Sequence, residues 1–238
     1  MNAHSPHPTA ARRIERIHYL FEQLSYKTYL EIGVFKGTTF LHLHVPHKVG
    51  VDPNFLFDIG TVTNESTVLA SMTSDEYFST VPVGTQFDFI YLDGLHVFEQ
   101  TYRDFCNAVN FTHPKSIIMI DDVLPNDEFS AMPDQQKCYQ ERQARGLTDQ
   151  RWHGDVYKTV FALHDFHLGF DYCTMSDVGN PQMLVWRSDE FKRQPKFNSL
   201  QTISQLTYAQ MQAHISMMRI DSEENALRRC LQTLKPQI

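Results

Sequence analysis

The sequence predicts an α/β fold: a doubly wound, mostly parallel sheet with an antiparallel C-terminal hairpin, plus terminal helices. Short apolar runs of strand-forming residues recur and close on glycine or aspartate: Thr28 to Val34, Lys48 to Val51, Phe87 to Leu92 and Ser116 to Ile120. Stretches with helical spacing, among them Thr38 to His44 and Val97 to Val109, lie between them, so strands and helices alternate as in repeated βαβ units. The 238 residues, 42% hydrophobic and 21% charged, suit one domain with extensions, large enough to bury a core around a cleft.

Residues 1 to 9 hold two prolines and two histidines without apolar periodicity and read as a loose arm. From Ala10, the positions Ile14, Ile17, His18, Phe21 and Leu24 recur at helical spacing, giving an amphipathic helix that ends near Ser25. Thr28 to Val34 is a buried parallel strand, and Lys48 to Val51 ends at Asp52-Pro53. A weaker strand, Ser66 to Ala70, falls before Phe87 to Leu92, which stops at Asp93-Gly94; Ser116 to Ile120 stops at Asp121-Asp122. Pro125 to Gly146 is polar, has no sustained period and reads as a mobile insertion. A helix over Asp155 to His167 then precedes strands Phe170 to Met175 and Gln182 to Arg187, joined through Gly179-Asn180-Pro181 as a hairpin. Leu200, Ile203, Leu206, Met211, Ile215, Met218, Ala226, Leu227 and Leu231 predict terminal helices outside the main sheet, which either mediate dimerisation, cover the cleft or simply pack on the domain. The expected division is an arm and helix over 1–27, a main domain over 28–190 with a lid or insertion at 123–154, and a helical extension over 191–238.

A net charge of −7 without a basic stripe removes the usual electrostatic basis for binding nucleic acid or an anionic membrane, leaving small molecules as the expected partners. Cys106, Cys138, Cys173 and Cys230 are widely spaced and form no CxxC pair, so neither a zinc site nor a disulfide framework is indicated. No signal-peptide pattern or membrane-spanning apolar run is present, and a cytoplasmic location is the expectation.

Open parallel sheets bind ligands beyond the carboxyl ends of their strands. Gly33 and Gly37 allow a tight turn there, and the helix expected next presents free N–H groups to a carboxylate or phosphate. Asp52 follows Glu31 by roughly 20 residues, the position from which a carboxylate holds a ribose diol. The Gly-x-Gly-x-x-Gly order that suits a pyrophosphate is absent, as is Gly-Lys-Ser/Thr. A nucleoside-containing cofactor other than a dinucleotide or triphosphate is therefore expected.

Taken in order, Tyr29-Leu-Glu-Ile-Gly-Val-Phe-Lys-Gly, Val49-Gly-Val-Asp-Pro, Phe87-Asp-Phe-Ile-Tyr-Leu-Asp-Gly-Leu-His, Ile117-Ile-Met-Ile-Asp-Asp and Trp152-His-Gly-Asp-Val-Tyr-Lys resemble the class I, Rossmann-like methyltransferases that use S-adenosylmethionine. The likeness is strongest to small-molecule O-methyltransferases of the macrocin and catechol type. It implies that Glu31, Gly33 and Gly37 line the methionine end of the cofactor, that Asp52 binds its ribose, and that Ser74 or Asp75 lies near adenine. Phe35 stands where the commonest pattern of the group has a further glycine.

Asp93, Asp121 and Asp122 follow adjacent strands and are expected to converge as ligands for Mg²⁺ or another hard cation, or to cap helices and bind backbone amides instead. Without a metal, Lys158 or Arg103 is the expected counter-charge. His96, three residues past Asp93, is a candidate general base or a further metal ligand; His153 is a weaker candidate, and Trp152 and Tyr157 form either an acceptor wall or core. The expected function is methyl transfer to a hydroxyl of a sugar or phenol, assisted by a divalent ion, with Asp93 and His96 at the reacting centre. The alternatives are a non-catalytic binding or assembly protein on the same scaffold, which the incomplete glycine pattern motivates, and oxidative chemistry at the acidic site, which the missing His-x-Asp set disfavours.

Overall fold

The computed structural model describes residues 8 to 190 and 192 to 235; the N-terminal arm expected over residues 1 to 9 lies, for residues 1 to 7, outside them. Strands β1 (Thr28–Ile32), β2 (His47–Val51), β3 (Thr67–Ala70), β4 (Phe87–Leu92) and β5 (Thr112–Ile120) are parallel. Strands β6 (Phe170–Met175) and β7 (Gln182–Arg187) form the expected hairpin, and β7 runs antiparallel to β5. A two-residue β8 (Ile220–Asp221) joins the edge, giving the order β3-β2-β1-β4-β5-β7-β6-β8. This is the Rossmann-like sheet expected from the sequence, with β3 at one edge.

Alternation along the strands explains the two cores. Leu30, Ile32, Ile90, Leu92, Ile118 and Ile120 face one side, and Tyr29, Phe89, Tyr91, Ile117 and Met119 the other. Helices α2 (Ser74–Thr80), α3 (Phe98–Val109) and α5 (Tyr157–Phe166) belong to the first side, while the second is covered by α1 (Pro8–Leu24) through Ile14, Ile17, Leu20 and Phe21 and by α8 (Glu223–Leu234) through Ala226, Cys230 and Leu234. Each of these buried aliphatic or aromatic side chains contributes about 1.5–3 kcal/mol relative to exposure.

Register decides where the site forms. Ile32 pairs with Val51 and with Leu92, and Leu92 pairs with Ile120. The residues that follow, Gly33, Asp52, Asp93 and Asp121, therefore come side by side at the carboxyl end of the sheet, around β1 and β4, where the chain order reverses.

Two expectations change, and one alternative among the terminal helices is favoured. Thr38 to His44 is not a helix but holds only a 3-10 turn, Phe40–His42. Two β-branched threonines open it and Pro46 closes it, and Lys48 caps the Phe40 and Leu43 carbonyls from Nζ at 2.6 and 2.9 Å. The polar stretch after Pro125 contains α4 (Gln135–Ala144), whose inward positions are Cys138 and a buried Arg142 bound to Asp127, so no apolar period announced it. The terminal segments α6 (Leu200–Ser204) and α7 (Tyr208–Ala213) pack on the domain through Ile203 and Met211, and among the described residues none from 199 to 235 lines the cleft. No described helix is long and apolar enough to cross a membrane.

Candidate active site

A cleft of about 710 Å³ opens over the carboxyl ends of β1, β2, β4 and β5. A larger groove, about 1180 Å³, runs between α1 and α8, but Arg12, Arg16 and Glu223 in its wall are paired with one another, and none of Asp52, Asp93, Asp121 or Asp122 lines it. The smaller cleft holds Asp52, Asp93, Asp121 and Asp122 together and is the candidate site.

Its floor is the turn after β1. Gly33 has φ +90°, and a Cβ there would stand 2.0 Å from the Asp93 carbonyl oxygen, so only glycine lets the β1 and β4 turns touch. Phe35, with φ +47°, takes the left-handed conformation that the missing glycine would have supplied. Asp52 holds it there: one carboxylate oxygen accepts from Phe35 N at 2.8 Å and the other from Asn54 N at 2.7 Å. Asp52 lines the cleft and keeps lone pairs for a further donor. Gly37 does not line it; its N–H donates to Val34 O at 2.7 Å, and its Cα faces Leu41, so its expected place against the cofactor is corrected to one behind the turn.

Glu31 is buried at the cleft wall and accepts from Tyr29 Oη at 2.7 Å. Burial pushes its carboxyl up to about 8, against that hydrogen bond and the charge of Arg13. Ser74 and Asp75 both line the opposite end, at the start of α2, where Gln100 of α3 donates to Ser74 Oγ at 3.1 Å and to Asp104 Oδ1 at 2.9 Å. Burial raises the Asp104 carboxyl to about 6.

The acidic cluster separates into two parts. Asp93, His96 and Asp122 each offer one ligand atom, and these lie within 4.8 Å of one another. His96 Nε2 is 3.5 Å from Asp93 Oδ1, and Nδ1 is 3.1 Å from Asp122 Oδ2, close but too misaligned to bond. Asp121 is engaged elsewhere: Oδ1 accepts from Asn180 at 2.7 Å and Gln182 at 3.2 Å, and Oδ2 from Tyr91 and Arg13. Burial opposes the charge of Asp121, yet Arg13 and these hydrogen bonds hold its carboxyl below the usual range. Burial and then Asp121 push Asp122 up to about 8 and also raise Asp93. For His96, burial disfavours the charged ring, but Asp122 and then Asp93 outweigh it and lift the imidazole to about 9.

The expected counter-charges are corrected. Arg103 binds Asp75 at 2.9 and 3.0 Å, and Lys158 binds Asp155 at 2.8 Å and Ser204 O at 2.7 Å. Arg13, from α1, neutralises the cluster instead. Arginine on an amphipathic surface helix ordinarily points to water, so only its place beside the apolar Ile14–Ile17 stripe hinted at this. Tyr91 was more accessible to sequence reasoning, because it shares a sheet face with Glu31, its partner in register.

The Trp152 to Lys158 segment braces His96. Gly154, at φ +65°, lies so close that a Cβ would overlap the His96 carbonyl, and Asp155 Oδ1 accepts from Phe98 N at 2.7 Å, capping α3 rather than its own helix. Trp152 lines the cleft and stacks on His96, with ring centroids 4.9 Å apart. Tyr157 is core, its hydroxyl donating to Leu206 O at 2.6 Å. His153 is buried, with Nε2 3.8 Å from Asp122 Oδ1.

Residues 30 to 123 match the model of a family described as a methyltransferase domain. No curated protein matches the chain. Among solved structures, it is similar to cofactor-bound Rv0187 from MTB (TM-score 0.54, 15% identity, 79% of this chain and 83% of that one). It is also similar to the SAH-bound methyltransferase PaMTH1 from Podospora anserina (TM-score 0.51, 12% identity, 79% and 91%) and to an O-methyltransferase from Bacillus cereus in complex with SAH (TM-score 0.50, 15% identity, 78% and 84%). At these identities the structural likeness speaks for the fold, and the family match for residues 30 to 123. The matched segment runs from β1 through the end of β5, within the Rossmann-like sheet.

Proposed function

We propose that the protein transfers a methyl group from S-adenosylmethionine to a hydroxyl of a small molecule, a sugar or a phenol. The observation that carries this reading is the juxtaposition at the carboxyl end of the sheet of a nucleoside-type turn, Gly33 with Asp52, and an imidazole held between two carboxylates, His96 with Asp93 and Asp122. Glu31 and Gly33 border the methionine end, Asp52 the ribose, and Ser74 and Asp75 the adenine end. Bound S-adenosylmethionine would supply an electrophilic methyl and a neutral thioether leaving group, and His96 would accept the proton of the attacking hydroxyl. Asp93 and Asp122 stabilise the imidazolium so formed, and Trp152 fixes the ring plane.

A divalent cation fits Asp93, His96 and Asp122. Their ligand atoms are close enough to share one ion, and His96 Nδ1 is buried without a hydrogen-bond partner. Bound there, it would supply Lewis-acid stabilisation of the acceptor oxyanion, with His96 as a ligand in place of its role as base. Asp121, taken up by Arg13, is left to orient the cluster.

Calorimetric titration with S-adenosylhomocysteine tests the cofactor half: micromolar binding is expected, weakened in Asp52→Ala. Absence of binding to the wild type would sink the reading in favour of a non-catalytic scaffold. Full methyl transfer after chelation, with no heat on titrating Mg²⁺ or Mn²⁺ into the apo protein, removes the cation and leaves His96 as the base.

A further inference from the structure

The methionine end of the cofactor carries two charges, and each needs a partner in the cleft. Glu31 and Asp93 line the cleft where its ammonium would lie. A helix N-terminus after Gly37 was expected to present free N–H groups to a carboxylate or phosphate, but that segment is a three-residue 3-10 turn, too short to present an aligned set of them. A cationic side chain has to serve instead.

Arg13, Lys36 and His96 are the cationic candidates lining the cleft among the described residues. Lys36 lies over the exposed Phe35 ring, 5.5 Å from its centroid, and His96 is held by Asp93 and Asp122. Arg13 differs from both. Nη1 is anchored by Tyr91, Asp93 and Asp121, and the guanidinium carbon stands 5.0 Å from the Tyr91 ring centroid. Nε is buried and has no hydrogen-bond partner among the described residues. Glu31, the expected wall of the methionine end, pairs in register with Tyr91, so Arg13 sits on that wall. A planar guanidinium with one edge anchored and a donor to spare is the geometry that receives a carboxylate.

We propose that Arg13 binds the carboxylate of the cofactor's methionine end, reaching from the N-terminal helix to complete a site otherwise built from strand ends. The assignment rests on the S-adenosylmethionine reading above. The helix that delivers Arg13 is itself fastened to the domain, because Arg12 and Arg16 on either side of it both donate to Glu223 at the start of α8. Arg13 thereby links the N-terminal helix to cofactor recognition.

The test is calorimetric titration of wild type, Arg13→Gln and Arg13→Lys with S-adenosylhomocysteine and with its decarboxylated form, which keeps the amine. In the wild type the carboxylate is expected to improve affinity at least about tenfold; Arg13→Gln loses that preference, and Arg13→Lys keeps part of it. Arg13→Gln retaining the wild-type preference, or losing affinity for both ligands equally, overturns the proposal and makes the guanidinium a counter-charge alone. Should Arg13→Gln fail to fold, as its melting curve would show, the wild type decides: equal affinity for the two ligands overturns the role of Arg13 while leaving the cofactor reading intact. A wild type that binds neither ligand removes both readings together.

Discussion

Gly33→Ala is the substitution the cofactor turn tolerates least, and two penalties contribute. The backbone angle of +90° belongs to the left-handed half of conformational space, which costs an L side chain about 1–2 kcal/mol. A Cβ would also stand 2.0 Å from the Asp93 carbonyl oxygen and 2.4 Å from its carbon, both backbone atoms that no rotamer change can move. Relief requires the β1 and β4 turns to separate by roughly 1 Å or more, an overpacking cost of about 1–3 kcal/mol. A total of about 3 kcal/mol lowers Tm by roughly 6–12 °C in a chain of this size. Gly84→Ala separates the terms, because Gly84 has φ +89° and nothing lies within 4 Å of its Cβ position. It is expected to lose roughly 2–8 °C and to keep its affinity for S-adenosylhomocysteine. Thermal unfolding and ligand titration of both variants read the result. If Gly33→Ala melts within about 2 °C of Gly84→Ala, or binds the ligand like wild type, close approach of the two turns is not what builds the site.

Three further outcomes follow from the same geometry. Glu223, 4% exposed, accepts from Arg12 and from Arg16, itself 2% exposed; Glu223→Ala strands a buried guanidinium and is expected to cost about 3 kcal/mol, and an unshifted urea midpoint would refute this. Because Glu31 is raised from 4.5 to about 8, the folded protein keeps a proton that the unfolded chain releases near 4.5. The wild type should therefore lose stability relative to Glu31→Gln as pH rises from 4.5 to about 8, and melting curves that stay parallel across that window would contradict the assignment. With His96 lifted to about 9, kcat/KM should climb with pH up to about 9 as the imidazolium deprotonates, and His96→Gln should abolish that limb; a wild-type profile without it removes His96 as the base.

The strands that carry the site were readable because each is an apolar run closed by glycine or aspartate, a pattern set by local composition and burial on both faces. Glu31, Gly33, Asp52 and Asp93 were legible at strand ends for that reason, whereas Ser74 and Asp75, which line the same cleft, were suggested by the resemblance alone. Gly37 was misjudged because a glycine's spacing does not say whether it faces ligand or side chain. The expected helix after it failed because Pro46 and two threonines outweigh its apolar spacing. Helix α4 escaped notice because its inward residues include an arginine.

What the sequence alone determined is the alternation of strands and helices and the row of acidic residues at the strand ends, since both follow from neighbours a few positions apart. Only the tertiary structure decided how the charges pair. Asp121 and Arg13 are separated by 108 positions, and Arg16 and Glu223 by 207. Which cation meets which carboxylate depends on where α1 and α8 cross the sheet, and that is set by the packing of apolar faces that carry no record of the charges beside them.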